Sequence, residues 1–287
     1  MFKTDLVRNR IEQQKRNYPE LNIGADPEWI ATHENGCSIS ADRLLYGTIA
    51  NHRSNLMKSP IGTDGNRFVG EFRPTPSYAS GKQILSDSLS KLVNRLPKEY
   101  NNTKIYYFTG PIRYGEPLGG HFHLSGDINV HKRCYTHNSA YRCLVFTIDY
   151  FLAPFLEAIF PKGAIEGRLN SGYGGTKDWK HIKPRYVEYR SLPSWLSNPQ
   201  LVIVLEALIR DTVGLWTAIP KFCYDSEGGV VHTRKKSGGI FIKRSQEIRH
   251  LLSDTKSWKE AAKIIALPTF MKNNMCRIDI KKWSAWL

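Results

Sequence analysis

The sequence is poor in cysteine, in acidic residues and in long apolar runs, and these shortages exclude several classes of protein. Its five cysteines are scattered and form no Cys-x-x-Cys pair, which favours reduced thiols inside a cell over a secreted disulfide framework. The longest apolar stretch, at 145–160, contains two acidic residues and a proline and is too short to span a bilayer. Residues 1–17 are rich in charge and lack the apolar core of a signal peptide. We therefore expect a soluble cytoplasmic protein without a membrane partner.

Three motifs of common enzyme classes are also missing. No Gly-x-Ser-x-Gly is present, which argues against a serine hydrolase, and no Gly-x-Gly-x-x-Gly follows a strand, which argues against a nicotinamide-binding Rossmann site. The stretch at 168–177 is rich in glycine, but its threonine precedes its lysine, so it does not match the Walker pattern. We interpret it as a flexible loop that closes over a ligand.

Acidic residues number 26 against 41 lysines and arginines, which gives a formal net charge of +15 at neutral pH. Such a charge keeps a protein soluble whatever its function, and it favours an anionic ligand such as a nucleotide or a nucleic acid. Basic and aromatic residues occur together near the C-terminus, as in Lys281-Lys282-Trp283. Nucleic-acid binding therefore stays open as an alternative function, which predicts a steep salt dependence and no need for ATP.

At 287 residues, of which 41% are hydrophobic, the chain can bury a sizeable core as one large domain or two small ones. No repeat or linker divides it, so we expect one catalytic domain over 1–220, with its core at about 20–215, and a basic C-terminal extension over 221–287 packed on the same domain. The patterning predicts strands at 21–31, 67–73, 104–109, 119–125 and 186–190. It predicts helices at 1–20, 81–96, 141–160, 200–216, 244–252 and 256–266, and a loop at 166–183.

The most informative stretch is Gly-Gly-His-Phe-His-Leu-Ser-Gly at 119–126. In an extended strand, side chains two residues apart leave the same face, about 6–7 Å from each other. His121 and His123 would therefore lie side by side, with Phe122 and Leu124 turned into the core. Because His-x-His on a strand is also a common zinc arrangement, a zinc-dependent hydrolase is a further alternative. Hydrogen-bonded core histidines are another.

Three other stretches place two ionisable groups at the same spacing: Asp26 with Glu28, Glu71 with Arg73, and Glu188 with Arg190. Paired carboxylates repel each other unless a cation lies between them, and Mg²⁺ prefers carboxylate and phosphate oxygens. The alternatives are a solvated edge strand for the acidic pair, where Pro27 also favours an edge or a bulge, and ordinary salt bridges for the mixed pairs. Together, the four stretches predict one sheet face that binds metal and phosphate.

Taken in chain order, these motifs resemble those of the phage-type carboxylate–amine ligases (COOH-NH2 ligase type 2), within the glutamine synthetase and glutamate–cysteine ligase superfamily. The resemblance covers about residues 20–215 and depends on the ordered set rather than on any single motif. The matching stretches are Gly-Ala-Asp-Pro-Glu at 24–28, Asp-Gly at 64–65, Glu-Phe-Arg-Pro at 71–74, Gly-Gly-His-Phe-His at 119–123, Ser-Gly-Tyr-Gly at 171–174 and Glu-Tyr-Arg-Ser-Leu-Pro-Ser at 188–194.

The resemblance implies an α+β fold that is glutamine synthetase-like, with a curved, mainly antiparallel sheet backed by helices and its ligands on the concave face. It implies that Asp26, His121 and Glu188 hold the metal that bridges the ATP phosphates. Glu28 and Glu71 would hold the other metal, near the carboxylate substrate, and Asp64 is a candidate third ligand there.

The resemblance also assigns the cationic residues. His123 would contact a phosphate, and Arg190 would face the transferring phosphoryl group. Arg73 would bind the substrate carboxylate or a phosphate. Arg168 or Arg185 would fill the arginine position that precedes the last strand of the site, with the choice between the two left open.

The implied activity is that of an ATP- and Mg²⁺-dependent ligase that forms C–N bonds through an acyl phosphate. The implied cofactors are ATP and two or three Mg²⁺ ions, with Mn²⁺ as a substitute. The implied partners are a carboxylate substrate and an amine, amino-acid or peptide substrate. If the gene is carried by a phage, the expected location is the host cytoplasm. Neither the acid, nor the amine, nor the oligomeric state follows from the sequence.

Overall fold

Antiparallel β-structure dominates the described part of the chain. The computed structural model describes residues 22–44, 61–63, 66–74, 105–125, 145, 148–149, 152, 160, 162–175, 178–183, 186–196, 199–218, 258–260, 262–263 and 277–278. Within these residues every strand pairing is antiparallel. The expected mainly antiparallel sheet is therefore confirmed.

The strands form one large sheet and one small hairpin. In chain order they are β1 (Asn22–Thr32), β2 (Ser38–Ile39), β3 (Ile61–Thr63), β4 (Val69–Phe72), β5 (Tyr106–Phe108), β6 (Ile112–Arg113), β7 (Glu116–Pro117), β8 (Gly120–Ser125), β9 (Trp179–Lys183), β10 (Tyr186–Tyr189) and β11 (Arg277–Ile278). The large sheet has the order β11-β5-β1-β8-β10-β9, with β2 and β4 also paired to β1 and β3 paired to β4. β6 and β7 form the separate hairpin.

β1 is the central strand of the sheet because it pairs with four others. Its first half pairs with β8, and its second half pairs with β4, β5 and β2. Ile30 lies opposite both Val69 of β4 and Phe108 of β5, so β1 has a neighbour on each side. The prediction of an edge strand is therefore wrong for the second half of β1, whereas residues 22–27 pair with β8 alone among the described strands.

Pro27 is tolerated in this central strand because of its position in the pairing. It lies opposite Gly120 at the last pair of the β1–β8 ladder. The next residue, Glu28, donates its backbone N–H to the carbonyl of Gly119 at 2.9 Å and begins the pairing with β4. A residue without an N–H thus stands where β1 changes partners.

The structure contains α1 (Ala41–Leu44), α2 (Lys162–Asn170) and α3 (Pro199–Ala218). The predicted helix at 200–216 is confirmed, with Pro199 at the first turn, where its missing N–H leaves no bond unmade. The predicted loop at 166–183 is wrong at both ends, since α2 continues to residue 170 and β9 occupies residues 179–183.

A large part of the core lies on the face of β1 opposite the acidic residues, and a smaller apolar cluster around Ile30 shares the face of the acidic residues. Trp29 is fully buried and packs against Phe72 and Tyr107, with ring centroids 5.9 and 5.4 Å away. Gly70 lies under the Trp29 indole, where a Cβ would overlap the ring. On β8, Phe122 stacks on Trp195 at 5.2 Å. These contacts fix the alternation that turns the polar side chains of β1 and β8 to the other face.

The other predicted elements divide into those the structure describes and those outside it. The predicted strands at 21–31, 67–73, 104–109, 119–125 and 186–190 are confirmed within two or three residues as β1, β4, β5, β8 and β10. Residues 145, 148–149 and 152 of the predicted helix at 141–160, and residues 258–260 and 262–263 of that at 256–266, are helical. The predicted helices at 1–20, 81–96 and 244–252 lie outside the described residues.

Two further observations concern the chain beyond the central strands. Within the described residues, no helix has both the length and the apolar character needed to cross a membrane. β11 comes from the predicted C-terminal extension and pairs with β5 at one end of the sheet.

Replacing Gly70 by alanine should destabilise the protein because the new Cβ would overlap the Trp29 indole. Overpacking of this kind costs about 1–3 kcal/mol. The matched control is Gly163→Ala in α2, where nothing lies within 4 Å of the added Cβ, and the helix should gain about 0.5–1 kcal/mol. Urea denaturation measures both changes. Equal stability of the two variants would contradict this packing.

Candidate functional site

Strand register gathers the predicted site residues on one face of the sheet. Side chains directly opposite each other in an antiparallel ladder share a face. The opposed pairs are Asp26 with His121, His123 with Glu188, and Glu28 with Glu71. Since Asp26 and Glu28 are two residues apart on β1, all three pairs lie on the same face.

The first group consists of Asp26, His121, His123 and Glu188, hereafter the histidine cluster. Asp26 reaches both imidazoles: its Oδ1 is 3.2 Å from His121 Nδ1 and its Oδ2 is 2.8 Å from His123 Nε2. Glu188 Oε1 lies 3.5 Å from His121 Nδ1. Ligand atoms from Asp26, His123 and Glu188 all lie within 4.8 Å of one another. The cluster is compact enough to surround one cation.

The opposite charges in the histidine cluster shift the pKa values of its members. Burial alone would lower the pKa of His121, but Asp26, Glu28 and Glu188 outweigh it and raise that pKa to about 9. Burial alone would raise the pKa of Asp26, but His121 and His123 lower it far below its usual range. His121 is therefore an imidazolium at neutral pH, and it neutralises part of the surrounding negative charge.

The second group consists of Glu28 and Glu71, hereafter the carboxylate pair. Both are buried, with 3% and 5% of their surface exposed. The burial of Glu28 argues against the solvated edge strand that was the alternative for Asp26 with Glu28. Glu71 Oε2 forms an ion pair with Arg73 Nη2 at 2.6 Å. Glu28 accepts hydrogen bonds from the Gly119 N–H at 2.5 Å and from the Tyr173 hydroxyl at 3.1 Å. Like charges in opposed positions destabilise a sheet, and these contacts offset that repulsion.

The two glycines before the histidines are required by close packing at the site. A Cβ at Gly119 would overlap the His121 ring. A Cβ at Gly120 would overlap the Trp195 ring and the carbonyl oxygen of Pro193. The pattern Gly-Gly-His-x-His therefore provides both the spacing of the imidazoles and the room for them.

Tyr173 connects the two groups, although the sequence analysis assigned it no role. Its hydroxyl lies 2.8 Å from His121 Nε2 and donates to Glu28 Oε1. Because the hydroxyl has one proton and donates it to Glu28, its oxygen accepts a hydrogen bond from His121 Nε2–H. A continuous chain of hydrogen bonds therefore joins the cluster to the pair. The guanidinium carbon of Arg190 lies 5.3 Å from the centroid of the Tyr173 ring. The position of Tyr173 within the Ser-Gly-Tyr-Gly motif was the signal that could have identified it.

Tyr186 was missed in the same way. Its hydroxyl lies 2.5 Å from His123 Nδ1. Burial, together with the charges of Asp26 and Glu188, raises the pKa of Tyr186 to about 12, so the phenol stays neutral. Tyr186 stands two residues before Glu188 on β10, and the two-residue spacing used for the other pairs would have placed it on the site face.

The predicted arginines lie in different places. Arg190 is beside the histidine cluster, with its Nε 3.6 Å from Glu188 Oε1, and Arg73 is beside the carboxylate pair. Arg168 is buried, and all three of its guanidinium nitrogens donate to backbone carbonyls. This geometry does not favour the expected position of Arg168 among the phosphate-binding side chains. Asp64 and Arg185 lie outside the described residues.

The donor atoms of the two groups fit divalent cations. Carboxylate oxygens are the preferred ligands of Mg²⁺, and imidazole nitrogens suit transition metals such as Mn²⁺ as well. In the histidine cluster, Asp26 Oδ1 is buried and makes no hydrogen bond within the part of the chain that the structure describes. A cation between the opposed carboxylates of the pair would neutralise them more fully than the single guanidinium of Arg73 does.

The sequence matches one family model, which is described as "Phage phiEco32-like COOH.NH2 ligase-type 2". The match covers residues 23–213, and so includes every member of the histidine cluster and of the carboxylate pair. No curated protein matches the sequence.

Several solved structures resemble the fold at low identity. One described as "Apo GmaS without ligand" has a TM-score of 0.51 and 14% identity, covering 98% of this chain and 73% of its own. A bifunctional glutathione synthetase from Pasteurella multocida has a TM-score of 0.47 and 11% identity over 91% of this chain, which spans 49% of the synthetase. A "novel glutamine synthase homolog" has a TM-score of 0.41 and 11% identity, covering 91% of this chain and 74% of its own. The first of these similarities concerns the fold alone.

Divalent cations should stabilise the protein through the histidine cluster. A ligand that binds only the folded state adds about 2.7 kcal/mol when its free concentration is about a hundredfold above its Kd. We expect Mn²⁺ or Mg²⁺ to raise the thermal midpoint of the wild type more than that of Asp26→Asn, since that substitution removes the carboxylate shared by both histidines and leaves the carboxylate pair in place. Glu34→Gln, an exposed carboxylate in the turn after β1, is the control. Equal shifts in both variants, at constant ionic strength, would contradict the assignment.

Proposed function

Since the chain belongs to the family of phage phiEco32-like COOH.NH2 ligases of type 2, we propose that it is an ATP-dependent carboxylate–amine ligase. Family membership supports an enzyme of the C–N bond-forming ligase class. We also propose that the enzyme uses ATP and divalent cations and that the reaction passes through an acyl phosphate.

The observation that carries the proposal is the convergence of four carboxylates and two imidazoles on one sheet face. Asp26, Glu28, Glu71 and Glu188 come from three strands that are separate in sequence, yet the ladders of β1 bring the two groups together. Tyr173 contacts both groups through one hydroxyl. A face with this much buried negative charge favours cation binding, and bound cations would in turn favour the phosphates of a nucleotide.

Two metal positions follow from the two groups. Asp26, His121 and Glu188 would hold the metal nearest the ATP phosphates, and His123 would contact a phosphate. Because His123 also lies within ligand distance of both carboxylates, it is an alternative ligand to His121. Glu28 and Glu71 would hold the second metal, with Asp64 as its candidate third ligand. The ions would supply charge neutralisation for the transferring phosphoryl group.

The arginines would complete the neutralisation. Arg190, beside Glu188, would face the transferring phosphoryl group, where one arginine contributes on the order of 10³-fold or more to the rate. Arg73 is oriented by its ion pair with Glu71 and would hold the substrate carboxylate. Arg185 is the remaining candidate for a phosphate contact, since the guanidinium of Arg168 is engaged with the backbone.

The reaction needs two displacements because a carboxylate is a poor acyl donor. In the first, a carboxylate oxygen attacks the γ-phosphorus of ATP, the bond to the bridging oxygen breaks, and ADP leaves. In the second, an amine attacks the acyl carbon, inorganic phosphate leaves with the electron pair of the C–O bond, and the nitrogen loses a proton to form the amide. The products are ADP, phosphate and an amide or peptide bond.

A zinc-dependent hydrolase is the second candidate, favoured by the closeness of His123 to two carboxylates. It predicts stoichiometric zinc and hydrolysis without nucleotide. The carboxylate pair and its adjacent arginine favour the ligase, because hard oxygen ligands beside a cationic side chain suit Mg²⁺ and an anionic substrate better than zinc. Nucleic-acid binding is supported by the net charge and by the basic and aromatic residues at 281–283, which lie outside the described residues.

Two broader expectations belong to the same proposal. The pairing of β11 with β5 supports the view that the extension at 221–287 belongs to the same domain as residues 1–220. We also propose that the enzyme acts in the cytoplasm, that of the host if the gene is carried by a phage, on ATP, a carboxylate and an amine, amino acid or peptide.

ADP release should require both an acid and an amine. We expect a screen of amino acids, peptides and polyamines with ATP and Mg²⁺ to reveal pairs that release ADP, with the amide product identified by mass spectrometry. Hydroxylamine in place of the amine should yield a hydroxamate of the acid, because it intercepts an acyl phosphate. Substrate hydrolysis that needs zinc and no nucleotide would instead support the hydrolase.

Arg190→Ala should abolish turnover while leaving the fold and much of the ATP binding intact, because the side chain acts on charge that develops in the transition state. We expect a loss on the order of 10³-fold in kcat, measured by ADP release. Arg67→Ala, which removes an exposed arginine outside the site, is the charge-matched control and should retain activity. Near-normal ligation by Arg190→Ala would count against the assignment.

A further inference from the structure

Arg168 is a buried arginine of α2 whose guanidinium makes five hydrogen bonds to backbone carbonyls. Only 2% of its surface is exposed. Nε donates to Leu118 at 3.1 Å, Nη1 to Gly174 at 3.0 Å and Ser191 at 2.8 Å, and Nη2 to Arg190 at 3.2 Å and Leu192 at 2.9 Å. A guanidinium has five N–H donors, so the available hydrogens match these acceptors.

The five carbonyls belong to three segments that are far apart in sequence. One precedes β8, one follows α2, and one follows β10. Each segment also carries a group of the candidate site: the Gly119 N–H that binds Glu28, the Tyr173 hydroxyl that joins Glu28 to His121, and the Arg190 side chain. Arg168 therefore holds, through the backbone, the positions from which three different groups reach the site.

The local sequence is adapted to this arrangement. Gly174 has φ of +67°, and a Cβ there would overlap the guanidinium of Arg168. Lysine could not replace the arginine, since its ammonium has three donors at one point instead of a planar fork. Removing the guanidinium would take a donor from all five carbonyls. Leu118 and Leu192 would keep the bonds that they accept from the N–H groups of Ser194 and Gly120, so we expect the segment that follows α2 to shift the most.

We propose that Arg168 is a positioning residue of the enzyme: through its five backbone hydrogen bonds it fixes Tyr173, Arg190 and the Gly119 amide in the geometry that cation binding and phosphoryl transfer require. The proposal rests on the proposed function for its catalytic part. Its metal-binding part can be measured independently of any reaction.

The test compares Arg168→Lys and Arg168→Ala with the wild type, using Mn²⁺ alone as the probe and electron paramagnetic resonance to measure free Mn²⁺. Loss of groups that orient metal ligands typically lowers metal affinity or activity by about 10–100-fold, and we expect both variants to lose at least about tenfold in Mn²⁺ affinity. With substrates, kcat should fall more than KM changes. Arg210→Lys, which alters an arginine paired with Glu206 in α3, is the control and should match the wild type.

Chemical rescue separates positioning from simple instability. Guanidinium at millimolar concentration should restore part of the Mn²⁺ affinity of Arg168→Ala, whose vacated space it fits, but not that of Arg168→Lys. Gly174→Ala should reproduce the loss while keeping Arg168, because the new Cβ displaces the guanidinium. Circular dichroism identifies the variants that fold. If Arg168→Lys does not fold, the Mn²⁺ affinity of Gly174→Ala or of the rescued Arg168→Ala tests the positioning role instead.

Folded variants with wild-type Mn²⁺ affinity would overturn the proposal. So would reduced thermal stability of Arg168→Ala with unchanged affinity and kcat, because that pattern describes a purely structural arginine. If the wild type binds Mn²⁺ but releases no ADP with any acid and amine, the proposed function fails. The Mn²⁺ comparison would then still decide the role of Arg168.

Discussion

The opposition of Glu28 and Glu71 across β1 and β4 is the constraint on which the rest of the site depends. Two buried carboxylates in directly paired positions repel each other, and a sheet tolerates them only when cations or donors lie close by. The register that creates this repulsion is fixed from the other face, where Trp29 packs on Gly70, Phe72 and Tyr107. Core packing therefore fixes a register in which two negative charges lie close together, and this arrangement favours the binding of cations.

Different neighbouring residues supply positive charge and hydrogen-bond donors to the carboxylates along β1. Arg73 pairs with Glu71, while the imidazolium of His121 acts on Glu28 through the hydroxyl of Tyr173. Further along β1, the same imidazolium lies beside Asp26 and Glu188. The partners of these carboxylates thus include a proton-bearing ring, guanidinium groups and neutral donors. A divalent cation that binds can take the place of the imidazole proton.

The strands and the shared face of the site could be predicted from the sequence because both depend on a local rule. Spacing of two residues placed Asp26 with Glu28 and His121 with His123, and the registers agree with it. The central position of β1 could not be predicted, since proline usually marks an edge and partners are chosen by the whole sheet. The contacts of Tyr173 and Arg168 could not be predicted for a related reason. Tyr173 with His121 and Arg168 with Leu118 join residues 50 or more apart, and Arg168 binds carbonyls, which every residue carries.

The central claim is that histidine and carboxylate side chains of this face hold a divalent cation that also contacts the nucleotide. Pulsed electron paramagnetic resonance of the protein with Mn²⁺ and a non-hydrolysable ATP analogue tests it directly, because couplings to ¹⁴N and ³¹P report the atoms bound to the metal. We expect both an imidazole ¹⁴N coupling and a phosphate ³¹P coupling from the same ion. Phosphate coupling without any imidazole coupling, in protein that binds the analogue, would contradict the account.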